Sequence, residues 1–255
     1  MVPFALVVAA YLTGSSIRQA ATPGDKLMPA PAAMAEAWST MALAPDTRTG
    51  EVIFWTDTKA SLVRLGTGLA IATLVALVSG LTLGMLPYAE SLLGSFVTAM
   101  SMVPALAVLP ILFIVFGLDE LSKVVLIVVG VLPFMVRDLS QRVREIPEEQ
   151  WIKAQTLGAS SLQLASRVIL PQAMPRLIDS LRLSLGPAWL FLISAEAISA
   201  TGGLGYRIFL VRRYMAMDVI LPYVAWITLL AFAFDQGLRL LRRRHYPWVD
   251  AEGKA

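Results

Sequence analysis

The chain has 255 residues and 27.6 kDa, 57% of them hydrophobic and 15% charged, with a mean hydropathy of +0.69. Soluble domains carry about 25% charge, so an ordinary soluble globule is excluded. Zero cysteines and one histidine, His245, argue against disulfides, iron–sulfur clusters, zinc sites and histidine acid/base chemistry.

Several windows run for about 20 residues with at most one charge, the length a helix needs to cross the hydrocarbon of a bilayer. No stretch fits G-x-x-x-x-G-K-[ST], so any ATP is handled by another chain. The net charge of +3 and pI near 9.3 read as topology bias and not as nucleic-acid binding, since no basic stripe interleaves with aromatics.

Val2 to Leu12 reads as a short first span without the basic start or cleavage site of a secretory signal. Residues 14–60 turn polar and loop-like, with one helix-compatible piece from Ala32 to Met41, and are expected outside. Residues 62–86 form the second span, with Arg64 at its outer end and Gly66, Gly68, Gly80 and Gly84 allowing close helix approach. Residues 92–117 form a third, broken by Pro104 and Pro110. It either kinks toward the bundle interior or is a bent packing helix. Residues 121–136 make a fourth span, 181–200 a fifth around Glu196, and 219–241 a sixth around Asp235.

Between spans four and five lies a polar segment, 137–180. Residues 137–182 hold seven of the 21 Lys and Arg, and the tail from Arg239 to Lys254 holds five more. The positive-inside rule puts both in the cytoplasm, although Arg207, Arg212 and Arg213 in the opposite loop weaken the contrast. In the polar segment, Pro147 suits a helix start, Glu148 and Glu149 complement its dipole, and Gly158 suits a left-handed stop. Trp151, Ile152, Ala154 and Leu157 give that helix an apolar face. A second helix, Leu162 to Leu170, is expected to end at Pro171. The segment either meets a partner or lies on the membrane surface.

The run KAQTLGASSLQLASRVILPQAMPRLIDSLRLSLG resembles the cytoplasmic loop signature of permease subunits of type I ABC importers, with Gly158, Val168, Leu170 and Pro171 at the signature spacing. MPAPAAM, FGLDELSK and AEAISATGGLGYRI extend the likeness, over roughly residues 28–244, to nitrate/sulfonate/taurine-type permeases. Two departures stand out. Ile152, Lys153 and Ala154 replace the usual Glu-Ala-Ala, and LPYAESLL replaces an arginine-bearing second internal loop.

The resemblance implies a single all-α integral membrane permease domain over 1–255, with about six transmembrane helices and a cytoplasmic coupling-helix loop between spans four and five. It implies a bacterial inner-membrane location with both termini in the cytoplasm, a second permease copy, cytoplasmic ABC ATPase subunits and a periplasmic substrate-binding protein. No cofactor is expected in this chain, ATP and Mg being bound by the ATPase. The loop would convert ATPase closure into opening of the pathway, with Trp151, Lys153, Ala154, Leu157, Gly158 and Ala159 at the ATPase and Pro171 fixing loop shape. Pathway or gate candidates are Glu196, Gly202, Gly203, Gly205, Pro104 and Pro110. Glu196 has a pathway role or a packing role, and near the outer boundary it is expected to meet water; Asp235 is expected to pair with Arg239 one turn on.

The substrate class implied is a small oxyanion such as nitrate, a sulfonate, taurine or bicarbonate. The alternative within the class is a small nitrogen compound. A stand-alone secondary carrier or channel would show internal repeats, and none is visible. An intramembrane enzyme would need clustered nucleophile, base or metal ligands in the spans, and the two in-span carboxylates lie far apart in sequence.

Overall fold

A computed structural model describes residues 2–22, 25–46 and 50–252. Lys254 and parts of the 14–60 segment therefore lie outside the described residues. All regular structure among those described is helical: α1 (Val2–Ala21), α2 (Pro31–Leu43), α3 (Ile53–Met85), α4 (Pro87–Ser101), α5 (Ala105–Phe116), α6 (Glu120–Arg144), α7 (Glu148–Thr156), α8 (Ser161–Leu164), a π-helical turn (Ala165–Ile169), α9 (Leu170–Ser199), α10 (Leu204–Arg212), α11 (Met217–His245) and α12 (Pro247–Glu252).

Four helical stretches are long and apolar enough to cross a bilayer, namely α3, α6, the continuous run Ser161–Ser199, and α11. A fifth arises if α4 and α5 count together, although they are bent by 96°. The expected single kinked span over 92–117 is thus two helices. The break falls at Pro104, whose φ of −67° and ψ of 105° start α5, while Pro110 lies inside α5. Both prolines are exposed in the isolated chain, so neither faces its core.

α1 continues nine residues beyond the expected end at Leu12. The hydroxyls of Thr13 and Ser16 are satisfied inside the helix: Thr13 Oγ1 donates to the carbonyls of Ala9 (2.9 Å) and Ala10 (3.0 Å), and Ser16 Oγ to that of Thr13 (2.9 Å). The following turn folds back, with Tyr11 Oη and Ser15 Oγ both donating to the Pro29 carbonyl.

The chain divides into two compact units, one of residues up to 63 with 193–230, the other of 64–192 with the remainder from 231. In the second, α3 and α6 pack through three small-residue contacts. A Cβ at Gly68, Gly80 or Gly84 would meet Ile127, Leu139 or Val143 at 2.9 Å or less. Each pair is 59 positions apart, so the two helices run parallel in constant register. Gly66, the other member of the expected ladder, has no neighbour within 4 Å.

Buried charges in this unit are paired. Arg64 and Lys123 both bind Glu120 at the start of α6. Arg182 on α9 grips Asp235 on α11 with Nε at 2.9 Å and Nη2 at 3.2 Å, and Asp179 bridges Arg182 to Arg242. Asp235 therefore pairs with Arg182 and not, as expected, with Arg239. A two-pronged guanidinium between packed helices holds a carboxylate in better geometry than a flexible neighbour one turn along the same helix.

In the first unit the core is aromatic. Phe54 is buried and ringed by Trp38, Trp55, Tyr223 and Trp226 at centroid distances of 5.0–5.5 Å. Trp55 Nε1 donates to the Ala42 carbonyl and Trp226 Nε1 to Thr58 Oγ1, which ties α2 to α3 and α3 to α11.

Candidate functional site

The loop between α6 and α9 is specified residue by residue. Pro147 precedes α7, and Glu148 and Glu149 occupy its first turn. Gly158 takes φ +85°, where a side chain is strained. The Ala159 N–H donates to the Ala154 carbonyl (3.0 Å) and the Gly158 N–H to that of Gln155 (2.9 Å), the paired bonds of a Schellman stop. Ser160 then caps α8 in a reciprocal box with Gln163.

Pro171 does not end the helix, contrary to expectation. The π turn Ala165–Ile169 lies directly before it, and the Leu170 N–H donates to the Ala165 carbonyl, five residues back. That shift in register admits a proline with no N–H into a continuous helix. Gln172 Nε2 donates to Gln150 Oε1 and to the Val168 carbonyl, both at 2.9 Å, pinning α7 to the start of α9.

Two faces of α7 differ. Lys153, Leu157 and Gly158 are exposed, Leu157 to 88%, and so is Ile152; Ala154 and Ala159 are half-buried. Trp151 turns the other way, lining a cavity of about 510 Å³ with Leu83, Met85, Pro87, Glu90 and Arg144. Its indole nitrogen is buried with no acceptor among the described residues, and an Arg144–Glu90 ion pair forms part of the same wall. The apolar face read from the sequence is therefore split, with Trp151 seated on its own chain and Leu157 projecting from it.

The first unit holds a second cluster, around the turn TGGLG. Glu196 is fully buried, contrary to its expected contact with water, and accepts from Ser61 Oγ (2.7 and 2.9 Å) and from the Gly205 N–H (2.8 Å). Ser61 Oγ accepts in turn from the Leu204 N–H (2.9 Å), and Asp57 Oδ1 from the Gly203 N–H (2.8 Å). Three consecutive backbone donors at the start of α10 thus end on three side chains, two of them acidic, where the helix dipole favours negative charge.

Arg207 Nε closes the cluster on Asp57 Oδ2 at 2.8 Å. Burial works against the Arg207 guanidinium, but the bond to Asp57 and its charge outweigh it and hold the group above its ordinary pKa. Gly203 adopts φ +124°, and a Cβ at Gly205 would lie 2.6 Å from the Ile193 carbonyl oxygen. Gly202 sits beside Asp57. The structure thus joins Glu196, Gly203 and Gly205 in one network, with Gly202 alongside, whereas Pro104 and Pro110 lie elsewhere.

Sequence reasoning missed Asp57, Ser61 and Arg207 here, and Gln150 and Gln172 in the loop. Asp57 and Ser61 one helical turn apart, at the polar start of an apolar run, were the available signal; nothing in the sequence linked them to a turn some 140 positions later.

Long apolar helices, paired charges within them and an ordered polar loop between two of them define a helical membrane-embedded subunit. The chain belongs to the family of binding-protein-dependent transport system inner membrane components, whose model matches residues 68–246. It is 35% identical over 198 residues to the taurine transport system permease protein TauC of Escherichia coli, covering 78% of this chain and 72% of that one. It is 33% identical over 164 residues to the putative aliphatic sulfonates transport permease protein SsuC of Escherichia coli, covering 64% and 62%. In fold it resembles a chain of the inward-facing MetNI methionine ABC transporter, with a TM-score of 0.60 at 19% identity over 72% of this chain and 94% of that one.

Proposed function

We propose that two copies of this chain form the pathway of an ATP-driven importer that takes a small oxyanion, a sulfonate foremost, from a periplasmic binding protein. The relatives named for taurine and aliphatic sulfonates support the substrate class. The arginine excess of 137–182 and of the tail supports a cytoplasmic placement of that loop and of both termini. ATP and Mg are bound and ATP is hydrolysed by a partner ATPase, on which α7 docks.

The observation that carries the reading is the rigidity of α7. A Schellman stop at Gly158, a capping box after it and the Gln150–Gln172 bond hold an exposed Leu157 on a fixed mount. Lys153, Leu157 and Gly158, with the exposed edges of Ala154 and Ala159, form the contact. Trp151 supports them from beneath, and Pro171 fixes loop shape. The Glu196 network with Gly202, Gly203 and Gly205 shapes the outer mouth, and the bend at Pro104 and Pro110 lines the pathway between the copies.

The test is co-purification of the tagged chain with ABC ATPase subunits from the cells that make it. Wild type is expected to bring down the ATPase, and Leu157→Glu and Gly158→Pro to lose it while still inserting in the membrane. A wild-type chain that purifies without any ATPase sinks the reading.

A further inference from the structure

At the junction of α6, α7, α9 and α12 the second unit holds an open polar cavity of about 320 Å³, walled by Arg142, Glu145, Gln150, Gln172, Arg176 and Trp248. Its one lining carboxylate is countered, since Arg142 Nη1 binds Glu145 Oε2 at 3.1 Å, and Arg142 Nε also meets Asp138 Oδ1 at 3.7 Å outside the wall, which leaves its second terminal nitrogen to the cavity. Arg176 is exposed and has no carboxylate partner among the described residues. Gln150 spends its oxygen on Gln172, which leaves its amide N–H groups as donors. The wall therefore offers an excess of guanidinium and amide donors over acceptors, the chemistry that binds a phosphate oxyanion.

What stands beside the cavity identifies the source of that phosphate. α11 leads by way of Tyr246 into α12, which lines the cavity, and its last turns carry Arg239, Arg242, Arg243 and Arg244, of which Arg242 is bound to Asp179. On the same stretch Leu240 is 66% exposed and Leu241 is exposed as well, while Trp248 stacks edge-on against Tyr246 at 5.3 Å. Exposed leucines suit acyl chains, and an arginine cluster followed by amphipathic aromatic rings marks headgroup depth at the end of a span. A soluble anion would gain nothing from the leucines or the rings.

We propose that this cavity binds the phosphate of an anionic phospholipid, held by Arg176, Arg142 and Gln150, with Trp248 covering the headgroup. The lipid would then brace α7 against α6, α9 and the C-terminal segment, so that bilayer composition sets the stiffness of the loop. From the proposed function this takes only that α11 crosses the bilayer.

The experiment uses the purified full-length chain in detergent, whether or not an ATPase accompanies it, so a failure here is separate from a failure of the importer reading. Thermal melting is followed with dioleoylphosphatidylglycerol, dioleoylphosphatidylcholine or inorganic phosphate added, and retained phosphatidylglycerol is counted by native mass spectrometry. Phosphatidylglycerol is expected to raise the midpoint by about 3 °C or more, well beyond the other two. Arg176→Gln and Trp248→Ala are expected to remove at least about half of that shift, and to retain less of the lipid, while melting like wild type in detergent alone. Equal protection by inorganic phosphate would make this a soluble-oxyanion site and overturn the proposal. Equal protection by phosphatidylcholine, no protection at all, or an undiminished lipid response in Arg176→Gln would overturn it too.

Discussion

Glu196 on α9 and Ser61 on α3, 135 positions apart in sequence, share a buried two-pronged hydrogen bond at 2.7 and 2.9 Å, and through it the turn before α10 is fixed. Neither residue stands alone. Glu196 also holds the Gly205 N–H and Ser61 the Leu204 N–H, so a carboxylate that is costly to bury is satisfied by a hydroxyl and a backbone amide.

Removing that acceptor strands the donors. Glu196→Ala is expected to cost about 3 kcal/mol, since a buried hydroxyl and a buried amide lose their partner together. Glu196→Gln keeps an acceptor oxygen and is expected to cost roughly half as much. Thermal melts of the two variants in detergent decide this. If both melt like wild type, the cluster does not hold the turn before α10.

The α3–α6 register gives an internal control on a single helix. Gly84→Ala places a Cβ 2.5 Å from that of Val143 and is expected to cost about 1–3 kcal/mol by overpacking. Gly66→Ala meets nothing within 4 Å and is expected to be neutral or stabilising by up to about 1 kcal/mol. Equal melting points for the two would refute the close packing.

At Gly158 space is open and only the backbone angle objects. Gly158→Ala is accordingly expected to cost about 1 kcal/mol, and Gly158→Asn less, because asparagine tolerates the left-handed region. Uptake by the assembled importer is expected to rank glycine first, then asparagine, alanine and proline. An uptake unchanged in Gly158→Pro would show that the exit angle of α7 does not matter for coupling.

Arg182 and Asp235 are each partly exposed, so screening reduces what their pair contributes. Arg182→Gln is expected to cost about 1–2 kcal/mol, largely from stranding Asp235 while Asp179 keeps Arg242, and Arg182→Met with Asp235→Leu to recover part of that loss. A double-mutant cycle on melting temperature reads the coupling. A cycle that closes to zero would mean the two residues do not interact.

Acid sensitivity is expected in the α1–α2 turn. The Leu27 N–H first, then Arg18, hold the Asp25 carboxyl below the usual carboxylate range. A depressed folded pKa contributes stability above the unfolded value, near 3.9, and loses it as pH falls through the folded one. Limited proteolysis of the turn is therefore expected to stay flat from neutral pH to about pH 5 and to rise only below about pH 4. Asp25→Asn is expected to be cut more at neutral pH and to show no such rise.

The sequence by itself determined what depends on neighbours in the chain. Composition and run length gave the apolar helices, and the order Pro147, Glu148, Glu149, Gly158 gave α7 with its start and stop, because capping and a left-handed turn are settled within a few residues. It misread positions where a local rule yields to the bonds around it. Polar Ser16 reads as loop but is satisfied inside α1, and Pro171 reads as a helix end but is admitted by a π turn. The tertiary structure alone decided which charges meet and which face of a helix is covered. Asp235 found Arg182 and not Arg239, Trp151 turned inward while Leu157 stayed out, and Asp57, Ser61 and Glu196 converged on three consecutive amides. Such pairings are chosen by packing between segments far apart in sequence, and a buried charge takes whichever partner that packing delivers.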